Sequence, residues 1–170
     1  MSSDEAAVCD SELSMTLLMT PEKANFSGSV HGGQMLKLLD EVAYACAARY
    51  SGTYVVTLSA DQVLFKNPIR IGELVTFLAA VNFTGRTSME IGIKVVAESV
   101  TRKERRHAMT CYFTMIAVDQ DGKPTPVPAL VPSTPAARQR FAAAELRRGL
   151  RAEINERYLA IKRAGSDTSG

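Results

Sequence analysis

Two adjacent glycines and a carboxylate give the first chemical signal in this chain. In the stretch HGGQMLKLLDEVAYACAARY, residues 31–50, Gly32 and Gly33 precede an apolar run and Asp40 sits inside it. On a wheel of about 100° per residue, Met35, Leu38, Leu39, Val42, Ala43 and Cys46 share one face. Lys37, Glu41, Tyr44 and Ala48 lie on the other. The spacing predicts a buried helix over about residues 34–49, stopped by Gly52. Amides that open a helix lack intrahelical acceptors, and the helix dipole adds partial positive charge to them. Glycines at that point let a carbonyl or an oxyanion come close. Asp40 falls at the border of the apolar face, beside Leu36, Ala43 and Ala47. It is either a boundary carboxylate that reaches solvent or a group that faces a ligand. Gly33 and Asp40 are separated by about 10 Å along the helix axis, so one substrate meets both only by lying along the helix.

The elements around this helix are mostly strands. SELSMTLLMT reads as a first strand, and PEKANFSGSVHGG, with Pro, Asn and three glycines, as a loop. After the helix, TYVVTLSADQVLF is β-branched and partly alternating. LVTFLAAVNF and SMEIGIKVVAES are two long runs joined by TGRT, a hairpin with Met89, Ile91, Ile93 and Val95 on one face. TRKERR reads as a charged turn, and HAMTCYFTMIAVD as a further strand closed by QDGKP. PTPVPALVPSTP is extended. An Ala-, Glu- and Arg-rich helix follows, with Ser133-Thr134-Pro135 as its cap and first turn. The expected class is α+β, with one long helix covered by a curved antiparallel sheet. The expected divisions are a disordered tail at 1–11, a domain at 12–130, a Pro-rich linker and helix at 131–164, and a tail at 165–170. An open sheet of this kind leaves edges that a second copy would pair.

The totals exclude several classes. The chain has 170 residues, 46% hydrophobic and 22% charged, with net charge +2. That is one ordinary globular domain without a strong field for nucleic acid or an anionic membrane. Cys9, Cys46 and Cys111 are odd in number and widely spaced, which argues against a disulfide framework or a zinc site. Only His31 and His107 are present, so no His-rich metal site is expected. With no signal core and no run of 18 apolar residues, a cytoplasmic location without a membrane span is expected.

Three motifs in order carry a family resemblance. Asn25, Gly28, Gly32, Gly33, Asp40 and Glu41 form the first, VTLSADQVLFKNPIRIGE the second and VNFTGRTSMEIGIKV the third. Together they resemble the hotdog-fold acyl-CoA thioesterases, in the bacterial short hexameric group related to the cytosolic acyl-CoA hydrolases, over about residues 12–120. The resemblance implies a sheet wrapped on one helix, pairing of two domains and an active site between them. It implies Asp40 as the catalytic carboxylate, Asn25 supplied by the facing subunit, and Thr57 as an orienting hydroxyl. The backbone of His31, Gly32 and Gly33 would polarise the thioester carbonyl. Gly85, Arg86, Thr87, Ser88 and Met89 would contact coenzyme A, with Arg86 pairing with a phosphate. Lys103, Arg105 and Arg106 either meet the 3′-phosphate or form a solvated turn. No cofactor is implied, because coenzyme A belongs to the substrate. The implied assembly is a dimer as minimal unit and a homohexamer, a trimer of dimers, as the whole.

Asp40 would act as general base on water or as nucleophile, and the sequence does not choose. Two residues depart from the family pattern: Phe26 follows Asn25 where a small or polar residue is common, which narrows the cleft, and His31 precedes the glycines where aromatics are frequent. Other readings stand beside hydrolysis: a non-catalytic acyl-CoA sensor, a hotdog dehydratase using His31, and an interaction module built on the basic helix at 135–163.

Overall fold

A computed structural model describes residues 11–166 of the chain. The tails expected at 1–11 and 165–170 lie mostly outside these residues, as does Cys9. The chain forms two compact units, divided between residues 130 and 131.

In the first unit, strand β1 (Glu12–Leu18) leads through a loop to helix α1 (Gly32–Ser51). Four strands follow: β2 (Tyr54–Phe65), β3 (Leu74–Thr84), β4 (Ser88–Ser99) and β5 (Glu104–Val118). They form one antiparallel sheet in the order β1-β3-β4-β5-β2. All five strands touch α1. This is the hotdog arrangement.

The helix earns its central place by composition. Met35, Leu39, Val42, Ala43, Cys46, Ala47 and Tyr50 are buried along it. Facing them are Val75, Phe77, Ala79 and Val81 from β3, and Met89, Ile91, Ile93 and Val95 from β4. These core residues sit at every second position of their strands, as the pleat requires. Gly52 closes α1 in the left-handed region at φ +67°, and its N–H donates to Ala48 O.

Two expectations need correction. The helix begins two residues before Gln34, because His31 caps it and draws both glycines into its first turn. The charged run 101–106 is a turn only as far as Lys103; Glu104, Arg105 and Arg106 are paired in β5 against β4. Ion pairs hold them there: Arg105 Nε donates to Glu98 Oε2 on β4 at 2.6 Å, and Arg106 reaches Glu73, just before β3, at 2.6 and 2.7 Å.

Residues 125–130 run along the edge of the first unit. Thr125 N donates to Ala117 O, Val127 N to Arg86 O and Leu130 N to the Thr84 hydroxyl, at 2.9–3.0 Å. In the second unit, α2 (Pro135–Ser166) starts at Thr134, whose hydroxyl accepts from Ala137 N at 3.1 Å.

Candidate active site

Asp40 projects from the third turn of α1, and Thr57 from β2. The Thr57 hydroxyl donates to Asp40 Oδ1 at 2.6 Å. That contact orients the carboxylate and leaves Oδ2 without a partner among the described residues. The sheet register breaks directly after Thr57: Thr57 pairs with Met115 and Ser59 with Thr114, so Leu58 is an extra, bulged residue. Bulges re-aim a side chain locally, and this one sits where the hydroxyl turns to the helix. Buried Met115 lies behind it, with Sδ at 3.6 Å from the hydroxyl. Asp40 and Thr57 are both exposed. They share an open groove of about 350 Å³ with Glu41, Tyr44, Tyr54, Val55 and Val56.

Asn25 lies in a different groove, of about 370 Å³, with Ser27, Ser29, Gly32, Met35 and residues 65–69. Its side chain is locked by the turn it starts. Oδ1 accepts from Ser27 N at 2.9 Å, from the Ser27 hydroxyl at 2.8 Å and from Ser29 N at 3.1 Å. With its oxygen so engaged, Asn25 has only its amide hydrogens to offer. Nδ2 has no partner among the described residues, and it is a donor suited to a carbonyl oxygen or a carboxylate.

His31 caps α1: its Nδ1 accepts from Gly33 N at 2.9 Å. The Gly33 N–H, one of the three amides expected to polarise a substrate carbonyl, is thus bonded within the chain. The N–H of His31 donates to Lys23 O at 2.8 Å. Among the three amides expected to polarise the carbonyl, Gly32 N–H remains, and Gly32 faces the Asn25 groove. The cap also places the acceptor lone pair of His31 on the helix rather than toward a ligand.

The Gly85–Met89 segment is the β3–β4 turn and the start of β4. Gly85 N donates to Ser88 O at 2.8 Å, and Thr87 O accepts from Ala117 N at 2.9 Å. Arg86 is exposed. The Met89 side chain is fully buried on the helix-facing side of β4, where it packs the core. Arg106 is likewise committed, to the buried carboxylate of Glu73, whose pKa it holds below the ordinary value.

Sequence reasoning missed the apolar wall beside Asp40. Tyr44 and Tyr54 meet edge to face at 5.9 Å. Tyr44 sits on the polar side of the helix wheel, and nothing local in the sequence connects it to a strand ten residues on. Among the described residues no group of three or more His, Cys, Asp or Glu side chains is placed to hold a metal. No described helix is long and apolar enough to cross a membrane.

Comparison with known proteins adds the family. Residues 27–103 match the model of the Thioesterase superfamily. The chain is 48% identical over 140 residues to Protein VdlD of Helicobacter pylori, covering 82% of this chain and 80% of that one. Its fold is similar to the crystal structure of an apo hexameric acyl-CoA thioesterase, with a TM-score of 0.83 and 34% identity over 85% and 93% of the two chains. An acyl-CoA hydrolase from Staphylococcus aureus, solved with butyryl coenzyme A, coenzyme A and coenzyme A disulfide, aligns with a TM-score of 0.77 and 29% identity over 88% and 95%. That hydrolase has also been solved with an Asp, a Thr and an Asn each replaced by Ala.

Proposed function

The chain belongs to the thioesterase superfamily as an acyl-CoA hydrolase, and from that premise we propose that it cleaves acyl-CoA to a fatty acid and coenzyme A at a site assembled from two copies. The single observation that carries this reading is the division of the site residues between two grooves. Asp40 and Thr57 line one, while Asn25 and Gly32 line the other. Gly32 and Asp40 lie eight residues apart on one helix, about 12 Å along its axis. They cannot converge on one carbonyl carbon within a single copy. Across a two-fold axis, the Asp40 half of one copy meets the Asn25 half of the other, and two equivalent sites form.

In this site the thioester oxygen accepts from Asn25 Nδ2 and from Gly32 N–H at the positive end of α1. Asp40 Oδ2 attacks the carbonyl carbon or removes a proton from the attacking water, while Thr57 fixes the other oxygen. The C–S bond then breaks and the thiolate leaves; on the nucleophilic route water next hydrolyses the acyl–Asp40 anhydride, which releases the fatty acid and restores the carboxylate. The departing thiolate is a good leaving group, so no strong general acid is required. No metal or cofactor takes part. Arg86 offers a guanidinium to a coenzyme A phosphate.

Pairing runs through β2. This strand is a sheet edge, and Tyr54, Val56, Leu58, Leu64 and Phe65 on it are exposed apolar residues. A long apolar edge favours a second copy. The dimer is the minimal unit, and a trimer of dimers in the cytoplasm is the whole assembly. The same division favours hydrolysis over a sensor, which has no need of the oriented Asp40–Thr57 pair. The His31 cap speaks against a dehydratase base.

The test is thiol release from acyl-CoA substrates by wild type and Asp40→Ala. Release by the wild type and none by the variant, with coenzyme A binding retained, is expected. An active variant contradicts the assignment, and a wild type that binds but releases nothing supports the sensor.

A further inference from the structure

Phe26 is fully exposed, more so than any other large apolar residue described. It stands at the corner of a turn that is bonded on all sides. Asn25 N donates to Ser29 O at 2.7 Å and Gly28 N to Asn25 O at 3.1 Å, while Asn25 Oδ1 holds Ser27 and Ser29 from within. Gly28, at φ +79°, permits the closure. On this turn the ring stands clear of its own chain. It is covered from outside or remains in water, where an apolar ring is unfavourable.

We infer that Phe26 of one copy forms a wall of the acyl pocket of the facing copy and sets the upper limit on acyl-chain length. The inference rests on the two-copy reading above. There, the Asn25 amide reaches the thioester beside the other copy's Asp40. The Cα of Phe26 is only about 3.8 Å further along the chain, so its ring enters the same two-copy site beside the Asn25 amide. What awaits it is apolar: the Asp40 groove is walled by Tyr44, Tyr54, Val55 and Val56. The tyrosines are both partly exposed, at 41% and 61%, and their ring edges and faces suit an aromatic neighbour. Phe26 therefore occupies space that a longer acyl chain would need. A small residue at the same position leaves that space open, and a larger one closes it further.

The experiment compares kcat/KM for butyryl-CoA and palmitoyl-CoA in wild type, Phe26→Ala and Phe26→Trp, with the mass of each in solution. Phe26→Ala is expected to raise the palmitoyl-to-butyryl ratio by roughly tenfold or more, the scale on which pocket volume discriminates acyl length. Phe26→Trp is expected to lower it. Ratios unchanged in both variants overturn the inference. If Phe26→Ala falls to monomers, Phe26→Trp decides: a lowered ratio supports the inference and an unchanged one overturns it. Asp40→Ala separates the two levels. Activity in that variant removes the reading of the site, whereas an inactive Asp40→Ala with flat Phe26 ratios removes only the role given to Phe26.

Discussion

The Thr57 hydroxyl donates to Asp40 Oδ1 at 2.6 Å, across seventeen residues of chain and from a sheet to a helix. This contact turns an exposed carboxylate into a positioned one. It predicts unequal effects for the two residues. Asp40→Ala should lower kcat by at least a hundredfold, the range of a lost general base or nucleophile. Thr57→Val should lower kcat by about tenfold with little change in KM, because a hydrogen bond to a charged group contributes about 1.5–3 kcal/mol. Steady-state kinetics on one acyl-CoA checks both.

A second prediction concerns acid stability. Arg106 grips the buried Glu73 from two nitrogens and holds its carboxyl below the ordinary value of 4.5. A carboxylate with a depressed folded pKa contributes stability above its unfolded pKa and loses it as pH falls through the folded value. Wild type should thus lose more stability than Glu73→Gln between neutral pH and the range below 4.5. Arg106→Met should cost about 3 kcal/mol at neutral pH, since it strands a buried charge. Adding Glu73→Gln should recover much of that. Urea midpoints at several pH values provide the check.

Packing between β3 and β4 gives a third. A methyl group at Gly92 would lie 2.2 Å from Asn82 Nδ2, and Asn82 is buried at 3% exposure. Gly92→Ala should destabilise by about 1–3 kcal/mol. The double variant with Asn82→Ala should be closer to wild type than Gly92→Ala alone, read as the urea midpoint.

The buried thiols give a fourth. Burial pushes Cys46 up to about 11 and Cys111 up to about 12. Neither should react with a thiol reagent at pH 8 until the protein unfolds, because the thiolate is the reactive form. Labelling followed by peptide mass, in native buffer and in denaturant, distinguishes folded protection from ordinary reactivity.

Much of the fold was legible because its signals are local and periodic. The run Ser88–Ser99 coincides with β4, and Met35, Leu39, Val42, Ala43 and Cys46 of the apolar wheel are buried, with Leu38 half-buried and Ala47 and Tyr50 added to them. What escaped was set by partners distant in sequence. Arg105 and Arg106 read as a turn because Glu98 and Glu73, which draw them into β5, are not visible from the run itself. The cap that His31 forms on Gly33 N–H was not legible either, because it depends on backbone geometry at the helix start. The Asp40–Thr57 contact became legible only through the family motifs, and its bulge at Leu58 had no signal at all.

The claim that each site is built from two copies has a direct test. Asn25→Ala and Asp40→Ala are each expected to be nearly inactive alone. Unfolded together and refolded as a mixture, or co-expressed with separable tags, they form mixed dimers in which one of the two sites keeps both residues. About a quarter of wild-type activity should return for random pairing of two-fold dimers, and it should co-purify with the doubly tagged species. A mixture of confirmed mixed dimers that stays as inactive as its parents would contradict the account.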